Sequence, residues 1–414
     1  MAAQGWRRWA VVALLALASI IAYVDRVNLS VALIDPAFKN FFRISNTDRG
    51  LLNSAFFWSY SLLQIPAGWL VDRYGSKYPV IAGFAVWSGL TALTALTTGF
   101  YTLFAVRLLL GMGEAVLHTA SMRWIRFHFA EKQRGLAIGI FMSGSKYGPA
   151  VGAMLSALLI DRFGWQAMFL ILGLLALTWI VPFFFLVADD QESGTAAKET
   201  ARGDDAATMR GMLASPIIWG TVIGTFCYMY FVYFCLTWMP AYLNEARGLS
   251  LDSSSLFTSF PFAGMATVAI LGGWAADGLI GRGHDAVKVR KAFTIAGFVM
   301  ASTELVGAYS ASLNVALFFF VFSLSGLGLA TANYWALTQT LLPGAAIGRI
   351  VGLQNFAANL PGVVAPIITG WLVEKTGTFT APLEAVLVAL VVGVAAYLFL
   401  VREKYAPARV APVA

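Results

Sequence analysis

Charge is what this sequence most lacks. Only 12% of its 414 residues are Asp, Glu, Lys or Arg, about half the share usual in soluble domains. Hydrophobic residues make up 59%, so the chain has too little polar surface to coat a water-facing globule. That excludes a soluble enzyme or a nucleic-acid-binding domain. The net charge of +7 is then informative through its distribution along the chain rather than its sum. Cysteine is almost absent. Cys227 and Cys235 are the two present, and eight residues on a helix separate them by about 12 Å, beyond disulfide reach. The three histidines, His118, His128 and His284, are scattered. No metal site, disulfide framework or cofactor is expected. Nor does a nucleophile–base pair or phosphate loop occur in an aqueous domain, so no enzyme activity is expected.

Long apolar runs fill the space instead. They fall at about 8–34, 49–71, 78–98, 100–122, 134–160, 164–187, 216–243, 254–280, 290–311, 313–341, 347–373 and 379–401, each near the roughly 20 residues needed to span a bilayer as a helix. The first follows Arg7 and Arg8 in the manner of a signal peptide, but it ends in a polar cluster rather than a cleavage site. It reads as the first transmembrane helix. Residues 188–213 are polar, charge-rich and poor in aromatics, the composition of a flexible linker. The expected organisation is therefore an all-α membrane protein of twelve spans, with bundles at 1–187 and 214–414 joined by a linker at 188–213. Nineteen of the 28 Lys and Arg residues fall on the side of the N-terminus, six on the other, and Arg26, Arg107 and Lys146 within spans. By the positive-inside rule, both termini and the linker are cytoplasmic. The expected location is the cell (inner) membrane.

The halves resemble each other. After the second span comes GWLVDRYGSK, with Gly68, Asp72 and Arg73; after the eighth comes GWAADGLIGRG, with Gly273, Asp277 and Arg282 in matching order, 205 residues later. A repeat of this kind, with a site near the midplane, is how many secondary transporters are built. The first of these segments resembles the loop 2–3 signature of the major facilitator superfamily, and the second is a weaker copy at loop 8–9. The resemblance implies two pseudo-symmetric six-helix bundles, with Gly68, Asp72, Arg73, Asp277 and Arg282 in conformational gating.

Ionisable groups inside a bilayer cost from about 2.5 to over 10 kcal/mol, so each is a functional candidate. Span 1 carries Asp25 and Arg26. Span 4 carries Arg107, Glu114 and His118, and span 5 carries Lys146 among small residues. Arg107 and Glu114 share a helix face about 10 Å apart. Three cations against two carboxylates suit an anion moving with a proton: neutralising Glu114 frees an arginine to grip a substrate carboxylate with two hydrogen bonds. Internal ion pairing that only holds helices together is the plainer alternative, and Lys146 could equally brace span 5.

The segments YVDRVNLSVA, RLLLGMGEA, RGLAIGIFMSGSKYGPAVG, WMPAYL and ANYWAL resemble the anion:cation symporter family, which includes bacterial sugar-acid and carboxylate transporters. That resemblance implies Asp25 and Glu114 as proton-titrating acids and Arg26 and Arg107 as anion-binding arginines. It further implies that Tyr60, Trp335 and Asn355 contact substrate. Ala332 stands where the family has a serine. Lys146 and His118 also depart from the pattern, and would add positive charge for a smaller or more highly charged anion. The expected function is secondary transport of an organic anion, a hexonate, hexuronate or related carboxylate, with protons by alternating access. An organophosphate/phosphate or dicarboxylate exchanger is the alternative. The expected partners are a small organic anion, protons and the lipid bilayer, with no nucleic acid. The resemblance favours a monomer.

Overall fold

The computed structural model describes residues 2–129, 131–187, 215–341, 347–402 and 405. The expected linker at 188–213 lies outside the described residues. The protein is all-α. Its helices are α1 (Ala2–Ala32), α2 (Pro36–Phe42), α3 (Asn46–Tyr74), α4 (Lys77–Thr94), α5 (Phe100–His128), α6 (Glu131–Leu177), α7 (Ile180–Leu186), α8 (Pro216–Ala241), α9 (Leu251–Gly281), α10 (Ala286–Ser302), α11 (Glu304–Tyr309), α12 (Leu313–Leu341), α13 (Ile347–Thr376) and α14 (Thr380–Ala395). One π-helical turn, Tyr242–Ala246, continues α8, and another, Ala396–Leu400, continues α14.

Among the described residues, nine helical stretches are long and apolar enough to cross a membrane. The stretch Leu136–Leu186 holds two expected spans, because α6 turns sharply at Gly164, where φ is 81°. Side chains rarely tolerate that backbone geometry, and glycine adopts it freely. Helices α3 and α4 occupy the places of spans 2 and 3. They fall short because α3 carries Asn53, Ser54, Ser59, Ser61 and Gln64 in mid-helix and the short α4 opens with Lys77-Tyr78-Pro79. Twelve span positions thus match the sequence pattern. The short helix α2 was not foreseen. Asp35 caps it by accepting from the Ala37 and Phe38 N–H groups, and Phe38 and Phe42 pack their rings on Trp165, 5.0 and 5.5 Å between centroids.

The described residues fall into two compact units, one drawn from Met1–Ala201 and Leu236–Ser259, the other from Arg202–Cys235 and Phe260–Ala414. In the first, Gly144, Gly148 and Gly152 are four apart and so share one helix face. Each faces α1 at a separation that leaves no room for a side chain. A Cβ on Gly144 would lie 2.7 Å from the Ala16 carbonyl oxygen, one on Gly148 2.9 Å from that of Ile20, and one on Gly152 2.8 Å from Val24 Cα. Small residues at such spacing let two apolar helices maximise van der Waals contact where lipid offers no hydrophobic drive. Span 4 is seated similarly: a Cβ on Gly111 would run into the Phe56 carbonyl of α3, and one on Gly113 would lie 3.0 Å from the Gly83 carbonyl oxygen of α4. These contacts fix Asp25, Arg26 and Glu114 relative to one another. In the second unit, a Cβ on Gly297 of α10 would lie 2.8 Å from the Ala330 amide nitrogen of α12, another glycine-mediated approach.

Replacing Gly148 with Ala should destabilise the protein by about 1–3 kcal/mol through overpacking, outweighing the roughly 1 kcal/mol that Ala gains as a helix former. Gly89 has nothing within 4 Å of its Cβ position, so Gly89→Ala should be neutral or stabilising. Thermal unfolding in detergent compares the two; equal melting temperatures would count against the close seating of span 5 on span 1.

Candidate functional site

The four charged groups Asp25, Arg26, Arg107 and Glu114 lie on spans 1 and 4 of the first unit, each no more than 5% exposed. Charge buried to that degree persists only if paired or hydrogen-bonded. Arg26 and Glu114 supply the pair: Nε donates to Glu114 Oε1 at 2.9 Å, and a terminal guanidinium nitrogen reaches the same oxygen. The guanidinium also faces the rings of Tyr23, Phe56 and Tyr60 at 4.4, 4.7 and 4.7 Å from their centroids. Aromatic faces carry negative potential, so they stabilise a cation where water is excluded. Glu114 Oε2 has no hydrogen-bond partner among the described residues. The pair is therefore one-sided, with an acceptor left over.

A pocket opens onto this pair. Its polar lining comes from Arg26, Glu114, Tyr60, His118, Ser19, Tyr23 and Ser145, with Phe141 and Met142 on the apolar side. His118 lies one turn beyond Glu114 on α5, and its ring is 5.8 Å from that of Phe141. Four expected site residues thus share one pocket: Arg26, Tyr60, Glu114 and His118. Lys146 does not line it; its neighbour Ser145 does. Successive helical residues point about 100° apart, which separates the two.

The same rotation separates Asp25 from Arg26. Asp25 borders an apolar crevice between spans 1, 5 and 6, with Leu17, Ile21, Val151 and Trp179. Its Oδ1 accepts from Asn28 Nδ2 at 3.1 Å, and the carboxylate also interacts with the Thr91 hydroxyl and the Arg107 guanidinium. Arg107 is absent from the pocket lining. Its guanidinium donates to the backbone carbonyl of Asp25 at 3.1 Å, tying span 4 to span 1. The two acids that the sequence groups together therefore have different cationic neighbours: Glu114 pairs with Arg26 in the polar pocket, whereas Asp25 interacts electrostatically with Arg107 and accepts from Asn28 beside the apolar crevice.

In the second unit, Trp335 is half-buried with its ring 5.3 Å from that of Tyr334. Asn355 is also half-buried, and its carbonyl accepts from Asn359. Nearby polar groups satisfy one another: Tyr228 and Thr331 hydroxyls lie 2.6 Å apart, and Gln354 Nε2 donates to Thr225 Oγ1 at 2.8 Å. The side chain of Ala332 lies outside the described residues.

Of the expected gating residues, Asp277 accepts from Arg290 at 2.9 Å, whereas Arg282 is exposed in the turn after α9. Arg73 is exposed and lies over the rings of Trp69 and Tyr74. A Cβ on Gly68 would meet only Thr119 at 3.9 Å, an ordinary contact. The Asp72 side chain lies outside the described residues. Sequence reasoning missed Arg290, thirteen residues from its partner across a turn. It also missed the serine hydroxyls of the pocket and the role of Asn28, although Asn28 is three residues from Asp25, a spacing that makes helix neighbours. Glu304 is buried and accepts from Ser323 Oγ at 2.5 Å.

Comparison with known proteins agrees with this architecture. The chain is 30% identical over 382 residues to the hexuronate transporter of Bacillus subtilis (strain 168), covering 89% of each. It is 30% identical to a probable L-galactonate transporter of Escherichia coli (strain K12), covering 94% of this chain and 88% of that one. A probable sulfoacetate transporter of Cupriavidus necator is also 30% identical, over 95% of this chain and 94% of the other. Among solved structures, a bacterial homologue of the human lysosomal transporter Spinster, inward-facing and occupied, superposes with a TM-score of 0.79 at 17% identity, covering 97% of this chain and 99% of that one. A D-xylose–proton symporter gives 0.74 at 16%, covering 97% and 98%; these two likenesses concern the fold alone. The sequence profile of the Major Facilitator Superfamily matches residues 15–366, and this multi-pass membrane transporter belongs to that family.

Proposed function

We propose that the protein carries a sugar acid, a hexonate or hexuronate, or a related carboxylate, together with protons by alternating access. Two six-helix bundles, 1–187 and 214–414, move about the linker at 188–213, with both termini cytoplasmic in the cell (inner) membrane. The carrying observation is the Arg26–Glu114 pair inside a polar pocket. The Glu114 carboxylate holds the guanidinium that a substrate carboxylate needs. A proton on Glu114 releases Arg26, whose planar fork then binds the substrate with two parallel hydrogen bonds. Loading the anion and loading the proton thereby favour each other, a coupling that is reciprocal by linkage. Tyr60, Ser19 and Ser145 present hydroxyls to the same space, which suits a polyhydroxylated acid. Asp25 is the second proton-carrying acid, and Arg107 holds span 1 by its backbone while serving the anion. Trp335 and Asn355 contribute the remaining contacts. Relatives named as hexuronate and L-galactonate transporters support this substrate class.

His118 favours a second reading. An imidazole in the Arg26 pocket offers a donor to a second anionic group, as in a dicarboxylate or a phosphate ester, and Lys146 on the next span adds charge. On that reading the protein exchanges such anions without protons.

Glu114→Gln mimics the protonated acid. It should abolish proton-driven accumulation in proteoliposomes while retaining counterflow of labelled substrate; loss of both in a folded variant would assign Glu114 a structural role. Arg26→Lys replaces a fork with a point charge and should weaken substrate binding about 10- to 100-fold. Isothermal titration of the purified protein reads this directly, and unchanged affinity would remove Arg26 from the binding site. A thermal-shift screen of hexonates, hexuronates, dicarboxylates and sugar phosphates at two pH values tests the substrate class, because a ligand of the folded state raises the melting temperature by mass action. Stabilisation by monocarboxylate sugar acids, stronger at the lower pH, is expected. Stabilisation by phosphates or dicarboxylates alone, indifferent to pH, would favour the exchanger.

A further inference from the structure

At the end of the first unit opposite the N-terminus, three charged side chains converge. Glu245 lies in the π-helical turn Tyr242–Ala246 that ends span 7. Its Oε1 accepts from Lys39 Nζ at 2.9 Å, and its two oxygens lie 2.9 and 3.0 Å from a terminal nitrogen of Arg49. The same Arg49 nitrogen donates to Asn46 Oδ1 at 2.9 Å, and the guanidinium lies 4.8 Å from the centroid of a Trp238 ring. Arg49 is only 3% exposed, so this is not one of the solvated surface pairs that contribute little.

Both cations are delivered by well-anchored backbone. Lys39 rides on α2, which Asp35 caps and Trp165 seats. Arg49 stands in the first turn of α3, where Ser45 and Asp48 form a reciprocal cap. The segment they grip, Leu236–Ser259, belongs to the first unit, whereas Cys235 before it and Phe260 after it belong to the second. A further tie is polar: Ser259 Oγ donates to the Ala150 carbonyl at 2.7 Å. Pro240 and Pro261 lie inside the helices close to the points where the chain changes unit. Prolines free a carbonyl from the helix ladder and favour bending.

We infer that Lys39, Arg49 and Glu245 form a charge latch, which holds residues 236–259 against α2 and the first turn of α3 at the end of the first unit opposite the N-terminus, and must break for that segment to move away. The latch goes beyond the proposed function and does not depend on which anion is carried or on proton coupling. A π-turn is well suited to the role, since such turns aim a side chain out of helical register and recur at functional sites.

The test reads access rather than transport. Asn53 is buried one helical turn beyond Arg49 on α3, so Asn53→Cys places a reporter thiol beneath the latch. The natural cysteines are both buried, which makes the unmodified chain the background control. Labelling of the full-length protein in sealed vesicles by a membrane-impermeant maleimide should be slow for Asn53→Cys alone. Adding Glu245→Gln should speed it about tenfold or more, as expected when buried Arg49 loses its part-buried carboxylate partner. Exchanging all three charges, Lys39→Glu and Arg49→Glu with Glu245→Arg, should restore slow labelling. Unchanged labelling in the Glu245→Gln variant at a wild-type melting temperature would overturn the inference. So would fast labelling in the charge-exchanged variant, which also decides the matter if Glu245→Gln does not fold. Because no substrate is added, a negative result here leaves the carrier reading standing, and failure of that reading in uptake leaves the latch standing.

Discussion

The interaction on which the site depends is the pairing of Arg26 with Glu114 inside a bundle that excludes water. Neither charge could remain there alone, because removing an ion from water costs several kcal/mol that only a close partner and hydrogen bonds return. The pairing in turn requires spans 1 and 4 to be held at fixed separation. Span 1 is fixed by the glycine face of span 5, span 4 by Gly111 and Gly113 against spans 2 and 3, and Arg107 adds a direct bond to the span 1 backbone. Aromatic rings around Arg26 complete its surroundings. Packing and electrostatics are therefore a single problem in this protein: the glycines matter because the charges must meet.

That arrangement also explains why a stable ion pair can serve a carrier. A pair that satisfied every atom would be inert. Here one carboxylate oxygen lacks a partner among the described residues, and the pocket that reaches the guanidinium is lined by hydroxyls and an imidazole. The proposed cycle exchanges one carboxylate for another around the same guanidinium. The inferred latch uses the same chemistry at the far end of the unit, with Glu245 answering Lys39 and Arg49. On both proposals a carboxylate–cation contact holds one state until a competing partner or a change of shape breaks it.

The sequence by itself determined the class of protein. Scarce charge and twelve apolar runs left a bilayer as the only solvent that the chain could satisfy, and a repeated Gly-x-x-x-Asp device pointed to the family that the comparisons establish. It also singled out the buried charges, since each is expensive wherever it falls in a span. The fold class and the residues Arg26, Tyr60, Glu114 and His118 of one pocket were legible for that reason, Tyr60 through family resemblance rather than chemistry.

Tertiary structure decided who meets whom. Asp25 and Arg26 are neighbours in the chain, yet a helix turns them about 100° apart and only Arg26 reaches the pocket. The same turn puts Ser145 in its lining and leaves Lys146 out. Asp277 finds Arg290 rather than the nearer Arg282, and Glu245 finds cations some two hundred residues earlier in the chain, at separations of 196 and 206. Hydropathy marks where a span runs but not its rotation or its neighbours. Those follow from how side-chain volumes interlock across helices, and that information is not local to any stretch of sequence.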